Sequence, residues 1–182
     1  MPELNFSPFP EIKTERLLLR RMTEQDVSEI FFLRSDKEAM EFIDRPIALS
    51  MKDAQRFLDI INNSLNTNDG ITWGITMKEN PGKLIGTIGY HKIKKEHYRA
   101  EIGYMLNPSF WRKGIMKEAI FAVLDFGFNM MNLHSIEAHI NAGNGASSGV
   151  LEATGFIKEA HFKEDFFFDG TFRDTIIYSR LK

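Results

Sequence analysis

The chain has 182 residues, a length that suits one domain, and its 16 phenylalanines are ample material for a core. Its 23 lysines and arginines nearly balance 25 aspartates and glutamates, and the resulting net charge of -2 argues against a general nucleic-acid binder. The lack of cysteine excludes disulfides, thiolate metal sites and a cysteine nucleophile, and it fits a reducing compartment. No apolar run reaches the length of a signal-peptide core or a membrane span, so the expected setting is the cytoplasm, with neither membrane nor nucleic acid as partner.

Residues 1–13 read as a proline-punctuated lead-in, and RLLLRR at 16–21 predicts a short strand. Thr23 is placed to cap a helix reaching about Leu33, with Asp26 in its first turn. Residues 35–42 predict a second short helix. Ser50 opens a longer one with Ala54, Phe57, Leu58 and Ile61 inward, ended by the NTNDG run at 66–70. Strands at 71–77 and 84–93 follow, joined by a turn at Asn80-Pro81-Gly82-Lys83.

In the strand 98–106, Ala100, Ile102, Tyr104 and Leu106 alternate with Glu101, Gly103 and Met105, and Asn107-Pro108 stops it. A short loop carries Trp111, Arg112, Lys113 and Gly114. A helix then begins at Ile115 and runs to about Gly127, with Ala119, Ala122 and Phe126 on one face. A strand at 135–141, a helix at 144–154 stopped by Gly155, and a hairpin of 156–168 with 171–181 turning at Asp169-Gly170 complete the chain. The order predicts an α/β mixture with a largely antiparallel sheet, and the crossover through the 115–127 helix makes one parallel pair.

The first turn of a helix has unpaired N–H groups and the positive end of the dipole, which suit phosphate oxygens. Arg112 and Lys113 add charge there, and Gly114 permits close approach to the backbone. The stretch reads either as a site for a phosphate-bearing ligand or as an ordinary strand-to-helix turn with surface basic residues. NAGNGASSG at 141–149 is a weaker rival, a dinucleotide loop. Its glycines have one residue too many before the last, and too little chain follows for further βαβ units. The five histidines show no metal spacing. Glu38, Glu41 and Asp44 either draw a cationic ligand toward the cleft or form a solvated face, and the Phe-rich run at 164–170 reads as core and edge packing.

Four stretches together resemble the GNAT superfamily of acyl-CoA-dependent N-acetyltransferases, in particular the RimJ/RimL type that modifies ribosomal-protein N-termini. They are TERLLLRRMTEQD at 14–26, GKLIGTIGY at 82–90, AEIGYMLNPSFWRKGIMKEA at 100–119, and NGASSGVLEATGF at 144–156 followed by DGTFRDTIIYSRL at 169–181. The resemblance implies a single GNAT domain over 1–182. Its fold is a twisted, mostly antiparallel sheet of about seven strands with a central splayed parallel pair, flanked by helices. It implies acetyl-CoA as co-substrate, no metal, and direct attack by an amine in a ternary complex. The family's phosphate loop, Gln/Arg-x-x-Gly-x-Gly/Ala, places Gly114 fourth. Trp111 and Met116 then depart from the pattern at its first and last positions, with Arg112, Lys113 and Ile115 between. Met105 and Leu106 line the splay, and the Leu106 N–H is the candidate donor to the thioester oxygen. Asn144 and Ser147 match an Asn-x-x-Ser near the pantetheine and thiol.

An α-amino group, with a pKa of about 8, needs only a modest base. Glu101 is the first candidate, with burial expected to raise its pKa and Gly103 leaving room beside it. The alternative is a cross-strand partner for a lysine or arginine. Ser147 or Asn144 would assist the departing sulfur, while Asn144 also suits a helix cap; Tyr104 and Tyr178 are alternative proton donors or core residues. The acceptor implied by the resemblance is a protein N-terminus. A small amine such as a polyamine or antibiotic, and a module that binds acetyl-CoA without transfer, stay as alternatives, and both monomer and homodimer are compatible with the sequence.

Overall fold

Alternation along the central strands sends one set of side chains to each face of a sheet, and both faces are covered. The computed structural model describes residues 4–182. The strands are β1 (Ile12–Lys13), β2 (Leu17–Arg20), β3 (Ile71–Met77), β4 (Asn80–Lys94), β5 (Arg99–Leu106), β6 (Ser135–Asn141), β7 (Ile157–Phe168) and β8 (Thr171–Leu181). The α-helices are α1 (Val27–Ser35), α2 (Lys37–Met40), α3 (Met51–Asn66), α4 (Ile115–Asp125) and α5 (Gly145–Ala153). The sheet order is β1-β2-β3-β4-β5-β6-β8-β7, antiparallel except for β5 with β6. The eighth strand is β1, inside the expected lead-in; the rest of the mixed architecture is as expected, except that residues 1–3 lie outside the described range.

On one face α4 packs its Ile115, Ala119, Ile120 and Val123 into the main core. Trp73 is fully buried there, edge-on to Phe126 at 5.1 Å, and its indole N–H donates to the Pro10 carbonyl. On the other face α1 and α3 bury Ile30, Leu33, Ala54 and Leu58 over Met22 and Leu84, with Met105 beside them.

Several boundaries move for local reasons. The helix expected from Thr23 opens as a 3-10 turn, Glu24–Asp26. Asp26 is buried, accepting the Thr23 N–H and two hydrogen bonds from the Arg20 guanidinium. The expected 35–42 helix is the single turn of α2, capped by the Asp36 carboxylate. The β3–β4 reversal falls at Lys78–Glu79 rather than 80–83. Pro81-Gly82-Lys83 instead lies in a slip of register between Thr76↔Leu84 and Met77↔Asn80, where a proline without an N–H is tolerated. α4 ends at Asp125 and widens into a π-turn, Phe126–Met130. The Tyr90 hydroxyl donates to the Val123 carbonyl at 2.8 Å, the acceptor an unbroken α-helix would give to the Gly127 amide.

β5 and β6 pair only over Arg99↔Ser135, Ala100↔Ile136 and Glu101↔Glu137, and then separate. This splay opens the cleft described below. A glycine at 89 is required by the β3–β4 approach, since a Cβ there would lie 2.3 Å from the Ile71 carbonyl oxygen and 2.6 Å from Thr72 Cα. Gly89→Ala should therefore destabilise the fold by about 1–3 kcal/mol, read as a lower urea midpoint with an unchanged slope.

Candidate active site

The Asn107 amide donates back to the Ile85 carbonyl at 2.8 Å, and Leu106 stands opposite Gly86. Antiparallel alternation therefore turns the Leu106 N–H away from β4, toward the side from which β6 has departed. The Leu106 carbonyl accepts from the Trp111 indole at 2.8 Å, folding the loop back over the strand end. Gly114 is the N-cap of α4, with φ +73, so the first amides of the helix face the cleft without a side-chain cap.

The cleft has two lobes. The larger, about 600 Å³, is bounded by Met105, Leu106, Trp111, Arg112, Gly114, Ile115 and Met116 of the expected set. The smaller, about 400 Å³, holds Glu101 and His91. Tyr104, Asn144 and Ser147 border both, so this is where the lobes meet. Phe42 and Ile43, from the α2–α3 connection, border both as well; Phe42 packs on Gly143, and nothing in the sequence pattern marked either residue.

Lys113 does not face the larger lobe. Its ammonium donates to the Ser109 carbonyl and lies 5.4 Å above the Phe110 ring, and Lys117, one turn further on, lines the lobe instead. Arg16 was also invisible as a site residue. It bonds to the Lys113 carbonyl and to Glu118, tying β2's approach to the start of α4. Glu38 and Glu41 line the larger lobe, while Asp44 is paired with Arg173 in the smaller one. Phe166, from the Phe-rich run, lines the smaller lobe, whereas Phe167 is exposed against Phe172.

Glu101 is buried, but its pKa moves opposite to expectation. Burial pushes it up. Hydrogen bonds from His91 and Lys92, with the charges of His91 and His139, outweigh that and hold it at about 2. The distances are 3.0 Å from His91 Nε2 to Oε1 and 2.7 Å from Lys92 Nζ to Oε2. The room left by Gly103 is filled by the His91 ring. At the fork the neighbouring Glu137 is held by Arg99 at 2.6 Å, with Lys94 at 3.6 Å. Glu101, Glu137 and His139 bring ligand atoms within 4.8 Å of one another, but the carboxylates already have these cations as partners.

Asn144 caps α5, its side-chain oxygen accepting from the Ser147 N–H at 2.9 Å. The Tyr178 hydroxyl donates to Glu152 and is committed there. The Tyr104 hydroxyl is buried beside Ser147 but outside hydrogen-bond geometry, with no partner among the described residues. Burial pushes its pKa up to about 12.

A splayed parallel pair with an uncapped helix start across it is the frame of an acetyltransferase, and comparison with known proteins agrees. The chain belongs to the acetyltransferase (GNAT) domain family, whose match spans residues 16–157. It is 36% identical over 174 residues to YoaA of Bacillus subtilis, an uncharacterized N-acetyltransferase, covering 96% of this chain and 98% of that one. Its fold is similar to that of RimL, a ribosomal L7/L12 α-N-protein acetyltransferase solved with coenzyme A, at TM-score 0.85, 20% identity and 94% and 98% of the two chains. It is also similar in fold to the spermidine N-acetyltransferase of Vibrio cholerae solved with CoA and spermine, at TM-score 0.81, 24% identity and 92% and 96% coverage. Among the described residues, no helix is long and apolar enough to cross a membrane.

Because the Glu101 pKa is depressed, its ion pairs stabilise the fold above the unfolded value of 4.5 and lose that contribution as pH falls toward 2. Glu101→Gln should cost about 1–2 kcal/mol at pH 7, allowing for water around its two exposed partners. The gap from the parent in urea denaturation should narrow steadily below pH 4.5.

Proposed function

We propose that the protein transfers an acetyl group from acetyl-CoA to the α-amino group of a protein N-terminus, by direct attack. The observation that carries this is the two-lobed cleft meeting at Tyr104, Asn144 and Ser147. In this reading the larger lobe takes the donor. Backbone amides at the start of α4 hold its diphosphate, with Arg112 and Lys117 adding charge and Lys113 serving to shape the loop. Met105 and Leu106 flank the pantetheine arm, and the Leu106 N–H donates to the thioester oxygen as negative charge develops there. Ser147 and the unpartnered Tyr104 hydroxyl stand where the sulfur departs, and Asn144 holds that turn in place. The smaller lobe takes the acceptor, with Glu101 as part of its catalytic machinery. The resemblance to RimL makes a ribosomal protein the leading acceptor, and a cytoplasmic setting follows from that choice.

The charge of the smaller lobe favours an α-amine over a polyamine. Asp44 is matched by Arg173, and Glu101 by Lys92 and His91, while Arg45 also lines the lobe. A polycation would find two of the lobe's three lining carboxylates already paired, leaving Asp165. The spermidine enzyme's similar fold keeps the small-amine reading as the alternative.

A thiol-release assay with acetyl-CoA tests this, using tripeptides that begin with alanine or serine beside spermidine and aminoglycosides. Peptides should be turned over in preference; faster turnover of spermidine would replace the acceptor, and no thiol release with any amine would leave a binding module. Gly114→Val should raise the acetyl-CoA dissociation constant at least about tenfold in calorimetry, because φ +73 is strained for valine and the side chain blocks the backbone.

A further inference from the structure

We propose that His91 is the group that takes the proton from the acceptor nitrogen, with Glu101 as its positioning residue; this rests on the acetyl-transfer reading above. The first support is a break in β4. The β4–β5 register runs to His91↔Glu101 and then slips to Lys94↔Arg99, and Lys92 has φ +49. On a regular strand His91 and Lys92 would point to opposite faces. The bulge turns both onto the same carboxylate, one to each oxygen. Such a bulge re-aims side chains, and left-handed backbone at a lysine is a local cost held in place by its surroundings.

The second support is Gly103, directly beneath the ring. A Cβ there would lie 2.8 Å from His91 Cε1, so a side chain at 103 would displace the imidazole. The third is the state of the two groups. Glu101 is buried with both oxygens engaged, whereas the His91 side chain is 48% exposed and lines the acceptor lobe. The carboxylate at Nε2 accepts, which assigns a hydrogen to that nitrogen; in the neutral ring the lone pair is then on Nδ1. Nδ1 has no hydrogen-bond partner among the described residues.

The charged groups around this lobe come from five bordering segments, while Asn144, Ser147 and Thr175, at the start of α5 and on β8, border it uncharged. Glu101 is on β5, Lys92 on β4, Glu137 and His139 on β6, Asp44 and Arg45 on the α2–α3 connection, and Asp165 on β7. Lys92, Glu137 and Asp44 are in ion pairs, and Glu101 is the anion in direct contact with the ring.

The acceptor arrives as an ammonium. One of its protons passes to Nδ1, directly or through water, and on to solvent. The freed lone pair forms the C–N bond at the acetyl carbonyl. The C–S bond then breaks with its electron pair on sulfur, and the second nitrogen proton ends on that sulfur. The products are the amide, the free thiol and one released proton.

Thiol release by the full chain, His91→Gln and Glu101→Gln is followed against pH, with an alanyl tripeptide and spermidine as the probe amines. His91→Gln should lower kcat/KM at pH 7 about 100-fold, leave the KM for acetyl-CoA unchanged, and move the acid limb up to the amine's own titration, about 8 for an α-amine. Glu101→Gln should lower kcat/KM at pH 7, leave the KM for acetyl-CoA unchanged, and weaken the preference for hydrogen on Nε2 of His91, because the carboxylate that fixes that tautomer is lost. An unaltered limb in His91→Gln, or a loss equal at every pH, would overturn the proposal. Nitrogen-resolved NMR of the histidine rings is independent of any acceptor: hydrogen on Nε2 of His91 supports the assignment, and hydrogen on Nδ1 sinks it. Where neither amine reacts, that tautomer decides. Calorimetry of the parent with acetyl-CoA separates these outcomes from failure of the acetyl-transfer reading itself, which would show as no binding.

Discussion

The site depends on a strand pairing that stops. β5 and β6 share three registered residue pairs and then part, and the last pair sets two buried carboxylates side by side, Glu101 and Glu137. Like charges at adjacent positions are unfavourable unless each is neutralised nearby. Here Lys92 and His91 serve one, and Arg99 and Lys94 the other. Beyond this fork, backbone groups that a ladder would have consumed are left for a ligand. The Leu106 N–H is the clearest case, because Asn107 already makes the neighbouring bond to β4.

Around that opening the chain uses ordinary packing to hold unusual backbone. Trp111 reaches back to the Leu106 carbonyl, Lys113 to the Ser109 carbonyl, and Arg16 to the Lys113 carbonyl and Glu118. Together they secure a loop in which Arg112 and Gly114 both have positive φ. On the far wall Asn144 fixes the first turn of α5, and Phe42 lies against Gly143. The side chains that hold the loop are therefore mostly distinct from the amides that face the lobe.

Buried acids in this molecule are placed as anions with dedicated partners. Asp26 satisfies both Arg20 and the cap of the following turn, and Glu101 is engaged by a lysine and a histidine at once. Burial alone would have made Glu101 a weaker acid and a better base. Geometry reverses the sign, because charge-assisted hydrogen bonds from two donors exceed the desolvation cost. Both of its hydrogen-bond partners line the smaller lobe, and His91 is the one proposed above as the base.

Periodicity and turn residues were enough to read the succession of elements along the chain from β2 onward, the crossover, the closing hairpin at Asp169-Gly170 and the glycine opening α4, because these depend on residues a few positions apart. Local signals singled out Gly114, and the resemblance to the acetyltransferase family added Met105, Leu106, Asn144 and Ser147; all five border one cleft. Local patterns fell short elsewhere. They could not show which way Lys113 turns, that Phe42 crosses to Gly143, or that Lys117 lines the lobe. Nor could they show that a bulge at Lys92 brings His91 onto Glu101. Each of those depends on chain segments meeting across the fold, or on a register slip that shifts side chains between faces. A linear pattern carries no record of such distances; the folded sheet alone sets them.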